Sequence, residues 1–434
     1  MDSKKWKMKD ALMREFNQEK SDSGVSGKRL AERLDTLSMI GRTSDNGSKR
    51  PGFSLLEYEA KRTVIKWMKE ADLSVRQDGA GNIIGRLEGE QSSLPAIMSG
   101  SHVDTVPNGG HFDGTLGVLS ALEVAQAWKD TGYLPKKPYE VVIFTDEEGS
   151  RFNGGLTGSE ALTGDSNIDD LLSKVDNEGR TFKEVIADVS LTVEGFTQAK
   201  RDLNEIETYI EVHIEQGKRL ENEDLPCGIV NGIAGPYWMK VTFKGLAGHA
   251  GNTPMNDRRD ALVAASAFIQ RVSELPRTIN TTSVATVGNI EVKPNGTNVI
   301  PGEVILYVDI RDIESESRQE LISKIISCGE NISQQSDVSF EYKCVHNSLP
   351  VPIPSALQEK LAEATKEEGI RPYFLPSGAG HDAMILGRYM PVALLFVRSR
   401  DGISHNPDEW SDLSDCVQTV QVLKRYIEKM QELQ

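Results

Sequence analysis

The chain has 434 residues, of which 38% are hydrophobic and 26% are charged, and its formal net charge is -16. This composition is typical of a globular protein of about two domains and excludes a disordered or membrane-embedded chain. The acidic balance argues against general nucleic-acid binding, because no basic surplus is present to neutralise phosphates. The first twenty residues lack an apolar core, and no uncharged apolar run is long enough to cross a bilayer, so we expect neither a signal peptide nor a membrane partner.

The four cysteines, Cys227, Cys328, Cys344 and Cys416, are scattered through the chain without any C-x-x-C spacing. This arrangement predicts neither a disulfide scaffold nor a thiolate zinc site, and it favours a reducing compartment. We therefore expect a cytoplasmic protein. Its first 25 residues are predicted to form a solvated helix and tail.

The first half of the chain predicts a strand, a helix and a strand in succession. Two short runs rich in β-branched residues, "PAIMSG" (95–100) and "YEVVIFT" (139–145), are typical of buried strands. Between them, residues 114–130 place apolar side chains at helical intervals. This order predicts an α/β catalytic domain with a mixed, mainly parallel sheet covered by helices. Such sheets bind ligands at the carboxyl ends of their strands, where "SHVDTV" and "TDEEGSRF" fall.

The middle of the chain predicts a second, inserted domain. Its pattern is strand, helix, strand, strand, helix, strand, which is the ferredoxin-like order. The two helices are predicted at residues 255–275 and 315–333. We predict a catalytic domain in two parts and an inserted α+β domain, with the boundaries 1–230, 231–346 and 347–434.

Three adjacent acidic residues, Asp146, Glu147 and Glu148, follow the second predicted strand. A solvated turn is the simpler explanation, because adjacent like charges repel and a buried pair raises one pKa. A nearby cation would favour the opposite explanation, a metal site.

Imidazole nitrogens and carboxylates at other predicted strand ends could bind such a cation together with the acidic residues. His102 follows the first strand, and Asp104 offers the carboxylate that a metal-bound imidazole usually contacts. Asp113 precedes the predicted helix and is either its N-cap or a ligand. His111, its neighbour, is expected to support the loop.

Two further histidines complete the candidate set. His213 lies in "TYIEVHIEQG", whose alternation places it with Glu211 on the polar face of a strand. His405 lies in a loop beyond the apolar strand "PVALLFV". Together with His102, Asp113 and one glutamate of the pair, these donors suit Zn, Mn, Co or Ni and are numerous enough for two ions sharing a carboxylate. The other glutamate is then available to take a proton from metal-bound water. A purely structural site is disfavoured, because such sites prefer four closed cysteine and histidine ligands.

Eight motifs in one order resemble a known family: "GSHVDTV", "HFDGTLGV", "DEEGSRF", "VHIEQG", "AGHAGNTPM", "NVIPGEV…DIR", "LPSGAGHDA" and "VRSRDGISHNPDEWS". The chain resembles the bacterial N-carbamoyl-L-amino-acid hydrolases from about residue 27 onward. That family, with the allantoate amidohydrolases and one type of β-ureidopropionase, forms the di-metal amidohydrolase branch of the M20 peptidase clan.

The resemblance implies specific roles at the candidate metal site. Glu147 is similar to the general base of the family, and Asp104 to the carboxylate that orients a histidine ligand. The implied ligands of two divalent ions, with Asp113 shared, are His102, Asp113, Glu148, His213 and His405.

Further residues resemble positions that contact the substrate. Arg311 is similar to the arginine that binds the substrate carboxylate, although a surface salt bridge at a strand end is the alternative. His249 resembles the histidine that family members lend to the partner subunit, where it polarises the scissile carbonyl. The other matching positions are Asn298, Gln216, Gly378, Gly380 and His381, of which Gln216 and His381 have the alternative role of holding their loops.

The resemblance implies an enzyme that hydrolyses the carbamoyl C–N bond of an N-carbamoyl-L-amino acid through a metal-bound hydroxide. The products would be the L-amino acid, carbon dioxide and ammonia, and the inserted domain would form a lid and a homodimer contact. Allantoate amidohydrolase is the main alternative, although Asp401 and Trp410 favour the carbamoylases. A β-ureidopropionase, a dipeptidase of the same clan and a non-catalytic binder are the remaining alternatives.

Overall fold

A computed structural model describes residues 7–432, which divide into two compact units. The first unit contains the chain up to Asn231, Ile353–Leu375 and the chain from His381 onward, and the second contains Gly232–Pro352 and Pro376–Gly380. The second unit therefore ends beyond the predicted boundary at residue 346. The reason is a short strand pairing, in which Val351 and Pro352 lie opposite Ile233 and Gly232.

The elements are numbered in chain order. The strands are β1 Ser74–Gln77, β2 Ile83–Leu87, β3 Ala96–His102, β4 Tyr139–Phe144, β5 Ile206–Ile214, β6 Cys227–Ile233, β7 Gly235–Lys244, β8 Gly248–His249, β9 Val284–Lys293, β10 Val299–Ile300, β11 Glu303–Asp312, β12 Ser339–Asn347, β13 Val351–Pro352, β14 Phe374–Ser377 and β15 Val392–Val397. The α-helices are α1 Met8–Arg14, α2 Gly27–Ser38, α3 Leu55–Glu70, α4 Thr115–Thr131, α5 Thr157–Thr163, α6 Ile168–Ser173, α7 Phe182–Asp188, α8 Val193–Thr197, α9 Arg219–Asn222, α10 Ala261–Glu274, α11 Ser315–Gln335, α12 Ser355–Glu367, α13 Asp382–Leu386 and α14 Leu413–Gln431. Within residues 7–432, none of these helices has the length and apolar character needed to span a membrane.

The large sheet of the first unit confirms the predicted α/β class. Its strands run in the order β1-β2-β4-β3-β5-β15-β6, and the four central strands, β4, β3, β5 and β15, are parallel. The outer pairings are antiparallel, which makes the sheet mixed. Helices α4 and α14 pack on this sheet and on each other. Every residue of β3 and β4 is buried, because both strands lie in the covered centre of the sheet.

The parallel strands end at one edge, which gathers the loops that carry the predicted ligands. Strand β3 extends to His102, so this histidine is the last residue of the strand and does not follow it as the sequence predicted. His102 lies opposite Phe144 at the end of β4, two residues before Asp146. Strand β5 lies between β3 and β15, and its His213 lies opposite Phe396 of β15.

The polar face that the sequence predicted on β5 is buried. Eight of its nine residues are buried, because β5 lies between β3 and β15 in the middle of the sheet. Glu211 and His213 therefore need partners inside the protein. Glu211 accepts hydrogen bonds from the Ser101 hydroxyl at 2.7 Å and from the Ala383 backbone N–H at 3.0 Å.

The N-terminal helix is also less solvated than predicted. It spans Met8–Arg14 and packs against α2. Met8 and Leu12 are buried in this contact, because they lie on one face of the helix.

The second unit is an antiparallel sheet in the order β12-β7-β11-β9 with helices α10 and α11 packed on it. Its core includes Phe243 of the sheet and Phe268 of α10. Helix α10 begins at Ala261, later than the predicted residue 255. Asp260 determines this start, because its carboxylate accepts the N–H groups of Leu262 and Val263 at 2.9 and 3.2 Å.

The contact between α4 and β5 gives a test of the packing that positions the site. At Gly117 of α4 an added Cβ would lie 2.2 Å from the carbonyl oxygen of Val212 in β5. A side chain at this position would therefore push α4 away from β5. We expect Gly117→Ala to lower the free energy of unfolding by about 1–3 kcal/mol, measured by urea denaturation with circular dichroism. Gly288→Ala is the control, because no atom lies within 4 Å of its added Cβ. Equal stability of the two variants would show that α4 does not depend on this close approach.

Candidate metal centre

His102 presents a buried, unpaired nitrogen at the end of β3. Its Nδ1 lies 3.1 Å from the Asp104 carbonyl oxygen, which fixes Nδ1 as the protonated nitrogen. The opposite nitrogen, Nε2, is buried and has no hydrogen-bond partner among residues 7–432. Gly114 allows this arrangement, because its φ is +60° and an added Cβ would lie 2.3 Å from the imidazole ring.

Asp113 lies between three of the histidines. Its Oδ1 is 3.0 Å from His213 Nε2 and 3.7 Å from His102 Nε2, and its Oδ2 is 3.2 Å from His405 Nε2. The N-cap hypothesis is wrong, since the N-cap of α4 is Gly114 and no side chain caps the helix. Oδ1 of Asp113 thus faces His102 and His213, whereas Oδ2 faces His405.

Asp146 is buried, and the side chains of Glu147 and Glu148 are only 11% and 7% exposed, so the solvated-turn explanation is wrong. The Asp146 carboxylate accepts a hydrogen bond from the Thr157 hydroxyl at 2.7 Å. Glu147 Oε2 lies 3.6 Å from His102 Nε2, whereas Glu148 Oε2 lies 3.5 Å from His405 Nε2. The two adjacent glutamates therefore lie beside different histidines, Glu147 beside His102 and Glu148 beside His405.

Asp104 fixes the direction of both glutamates. One oxygen of its carboxylate accepts the Glu147 N–H at 3.2 Å, and the other accepts the Glu148 N–H at 3.1 Å. Asp104 Oδ1 is also 3.6 Å from His102 Nδ1. The residue that the sequence assigned to His102 alone thus holds three predicted site residues.

The pKa values record the crowding of charges. Burial raises the pKa of Glu147 well above its ordinary value, and burial together with Asp113 raises that of Glu148 to about 7. Burial opposes ionisation of Asp113 too, but His213 and His405 hold its pKa well below the ordinary value. The hydrogen bond to Asp113 raises the pKa of His405 to about 9. A divalent cation would relieve the repulsion among these carboxylates.

The donor set fits two divalent ions that share one carboxylate. Two groups have ligand atoms within 4.8 Å of one another, namely His102 with Asp113 and His213, and Asp113 with Glu148 and His405. Two atoms of these groups, His102 Nε2 and Glu148 Oε1, are buried and have no hydrogen-bond partner in the described part of the chain. Imidazole nitrogen and carboxylate oxygen are ligands that Zn, Mn, Co and Ni accept.

Two of the predicted substrate positions contact these ligands. The Gln216 side-chain amide donates to Asp113 Oδ2 at 3.1 Å and to the Ser404 hydroxyl at 3.2 Å. The rings of His381 and His213 have centroids 4.5 Å apart. Both contacts agree with the alternative role of holding the loop.

The other predicted substrate positions lie in the second unit. His249 is exposed, and its Nδ1 accepts backbone N–H groups from Gly251 at 3.0 Å and Asn252 at 3.2 Å. The next residue, Ala250, donates its N–H to the Asn298 carbonyl at 3.0 Å. This backbone bond brings the His249 and Asn298 segments together.

Arg311 makes the ion pair that the salt-bridge alternative predicted. Its Nη2 lies 2.7 Å from Asp309 Oδ2, and its Nε donates to the same carboxylate. Its Nη1 donates to the Gly378 carbonyl at 2.7 Å, and Gly380 lies in the same short segment, Pro376–Gly380. Since a guanidinium has five N–H groups, one on each terminal nitrogen is left for a ligand.

Sequence analysis missed two buried residues that brace the ligand loops. Arg50 donates to the Val103 carbonyl at 2.9 Å, beside His102, and to the Ile40 carbonyl at the same distance. The Glu409 carboxylate accepts the Asp113 N–H at 3.1 Å. Only the position of Glu409 inside the last motif was a signal in the sequence.

Comparisons with known proteins agree with this geometry. Residues 98–429 match the model of the family described as peptidase family M20/M25/M40. The chain is 42% identical over 408 residues to the N-carbamoyl-L-amino-acid amidohydrolase of Pseudomonas sp. (strain NS671), covering 93% of this chain and 98% of the relative. It is 33% identical over 395 residues to the allantoate amidohydrolase of Escherichia coli (strain K12), covering 91% and 95%. A solved hydantoinase/carbamoylase family amidase of Burkholderia multivorans superposes with a TM-score of 0.87 at 33% identity, covering 93% and 98%.

The bonds of Asp104 predict its effect on metal binding. Asp104→Asn replaces one accepting oxygen by an NH2 group, which faces a backbone N–H and cannot accept it. We expect metal affinity, measured by Co²⁺ titration of the metal-free protein, to fall by about 10–100-fold.

Asp78→Asn is the matched control for Asp104→Asn. Asp78 is a half-buried carboxylate, and it accepts the N–H groups of Ala80 at 3.0 Å and Asn82 at 2.9 Å in a turn without any of the candidate ligands named above. We expect its metal affinity to stay at the wild-type level. Equal affinity losses in both variants would contradict a local role for Asp104.

Proposed function

The chain belongs to peptidase family M20/M25/M40, and from this premise we propose that it hydrolyses the carbamoyl C–N bond of N-carbamoyl-L-amino acids. The products would be the L-amino acid, carbon dioxide and ammonia. One observation carries the proposal, namely that Asp104 holds the backbone of two adjacent glutamates beside the carboxylate of Asp113 that both candidate ligand groups contain. The carbamoylase name of a relative at 42% identity supports the substrate class.

The residues of the first unit divide the metal-binding work. When two divalent ions are bound, they supply a Lewis acid and lower the pKa of a water molecule. His102 and His213 would hold one ion, Glu148 and His405 the other, and Asp113 both. Zn, Mn, Co and Ni all remain candidates, because the same donors serve each of them.

Glu147 is the residue that we assign to proton transfer. Asp104 accepts its backbone N–H, and its Oε2 lies 3.6 Å from His102 Nε2, so the carboxylate is next to the ligand nitrogen. In the proposed reaction it takes a proton from the attacking water as the new C–O bond forms at the ureido carbon. It then gives that proton to the amine nitrogen as the C–N bond breaks.

The residues of the second unit are proposed to bind the substrate. Arg311 would bind the substrate carboxylate with the N–H groups that Asp309 and Gly378 leave free. His249 would donate a hydrogen bond to the developing oxyanion through Nε2–H, because its Nδ1 already accepts two backbone N–H groups. Asn298, Gly378 and Gly380 of the second unit, and Gln216 and His381 of the first unit, are proposed as further substrate contacts.

Allantoate amidohydrolysis is the second candidate, because a relative at 33% identity bears that name. It would use the same metal ligands and the same base, and it differs in the substrate that is bound. We extend the proposal to a homodimer formed through the second unit and to a cytoplasmic location. The family resemblance supports the homodimer, and the scattered cysteines support the location.

A substrate panel separates these candidates. Metal-reconstituted protein is assayed for ammonia release with N-carbamoyl-L-methionine, its D-isomer, allantoate and N-carbamoyl-β-alanine, each with and without a chelator. We expect chelator-sensitive turnover of the L-carbamoyl compound alone. Turnover of allantoate instead would retain the centre and replace the substrate, whereas no turnover of any of the four would contradict the proposed function.

Glu147→Gln tests the assignment of the base. The amide keeps the shape of the side chain but cannot accept a proton, so we expect kcat to fall by about 10²–10⁴-fold. Metal content, measured by atomic emission, should remain at two ions per chain because Glu147 is not a proposed ligand. Full turnover by this variant would remove Glu147 from the mechanism.

A further inference from the structure

Glu409 joins the two loops that carry Asp113 and His405. Its side chain is buried, with 3% of the residue exposed. One oxygen, Oε1, accepts the N–H groups of Phe112 at 2.8 Å and of Asp113 at 3.1 Å. The other oxygen, Oε2, accepts the Ser404 hydroxyl at 3.0 Å. A single carboxylate thus fastens the residue before His405 to the backbone of the shared ligand.

The link continues to the carboxylate of Asp113. The Ser404 hydroxyl lies 3.2 Å from Asp113 Oδ2, the oxygen that faces His405. Gln216 donates to that oxygen and to Ser404. Ser404, which Glu409 holds in place, is therefore one of the groups that orient Asp113 toward His405.

The two sides of the centre are not supported equally. His102 and His213 belong to strands β3 and β5, which the sheet holds on both sides. His405 lies in a loop with a φ of +55°, and 52% of its side chain is exposed. The geometry of its side of the centre depends on loop contacts rather than on strand pairing.

The carboxylate of Glu409 is enclosed tightly. An added Cβ at Gly110 would lie 2.0 Å from Glu409 Oε1, so the loop passes directly over the side chain. The neighbouring Trp410 packs edge-on against Phe112, with ring centroids 5.5 Å apart. Because the backbone donors are buried with Glu409, its removal leaves them without an acceptor.

We propose that Glu409 is a positioning residue that sets the affinity for the metal ion on the His405 side of the centre. The inference rests on the proposed function, because it requires two ions at the ligand groups described above. It assigns to Glu409 no contact with substrate or metal. A purely structural role would instead lower stability and leave the relative affinities of the two ions unchanged.

The test is a Co²⁺ titration of metal-free full-length protein, followed by calorimetry and by the visible spectrum of the bound ion. Wild type should bind two equivalents. Glu409→Ala should bind one equivalent with wild-type affinity and the second about 10–100-fold more weakly. Glu409→Asp replaces the alanine variant if that variant does not fold, because its shorter side chain cannot reach both loops.

Glu409→Gln is the conservative variant. Its amide oxygen accepts the two backbone N–H groups, and its NH2 group donates to the Ser404 hydroxyl, which remains able to donate to Asp113. We therefore expect both affinities to return to within about threefold of wild type.

Glu140→Gln is the matched control. Glu140 is a buried carboxylate at the start of β4, bound by Arg201 at 2.6 Å and Arg86 at 3.0 Å, at the opposite end of the strand from the acidic triplet. It should lose stability and keep both metal affinities.

The outcomes distinguish this inference from the proposed function. Wild-type affinity for both ions in Glu409→Ala, or an equal loss of both, overturns the positioning role and leaves the proposed function standing. A wild-type chain that binds no Co²⁺ at the centre overturns both. Selective loss of the second ion, restored in Glu409→Gln, supports the inference.

Discussion

The carboxylate of Asp104 is the interaction on which the centre depends. Two consecutive backbone N–H groups, those of Glu147 and Glu148, donate to its two oxygens, and His102 lies beside it. Burial would raise the pKa of Asp104, but His102 and the two N–H groups lower it below the ordinary value. An ionised acceptor is therefore maintained where the chain turns after β4. Without it, the two glutamates would have no fixed directions relative to the histidines.

The shared aspartate is the second constraint, and it follows from the sheet. Parallel strands β3 and β5 bring His102 and His213 to one edge, and the loop before α4 brings Asp113 between them. The third histidine, His405, comes from a loop after β15 and reaches the other oxygen of Asp113. Strands position one ligand group firmly, while hydrogen bonds between loops position the other. This difference is the physical basis for the role inferred for Glu409.

The second unit shows how local pattern and tertiary contact differ in what they specify. Its strand and helix order follows from alternating and helical apolar periodicity, and the apolar positions form the core around Phe243 and Phe268. The partners of Arg311 do not follow from any such pattern. Asp309 lies two residues away on the same strand, but Gly378 lies 67 residues further along the chain. Together these contacts fix the orientation of the guanidinium and use three of its five N–H groups.

The sequence by itself determined the fold class, the positions of the elements that flank the ligand loops and the chemical types of the candidate ligands. Strand β4 and helix α4 lie within two residues of their predicted ends, because apolar periodicity is a local property. The family was recognisable because eight motifs occur in one order.

Only the tertiary structure decided which neighbours these residues have. It showed that Asp113 does not cap its helix, that Asp146 is buried with the side chains of Glu147 and Glu148 largely enclosed, and that the polar face of β5 is buried. It also revealed Arg50 and Glu409, whose partners lie up to 297 residues away along the chain. Hydrogen bonds between such distant residues leave no periodic signal in the sequence. The two partners become neighbours only when the folded sheet brings their loops together, and no local pattern encodes that contact.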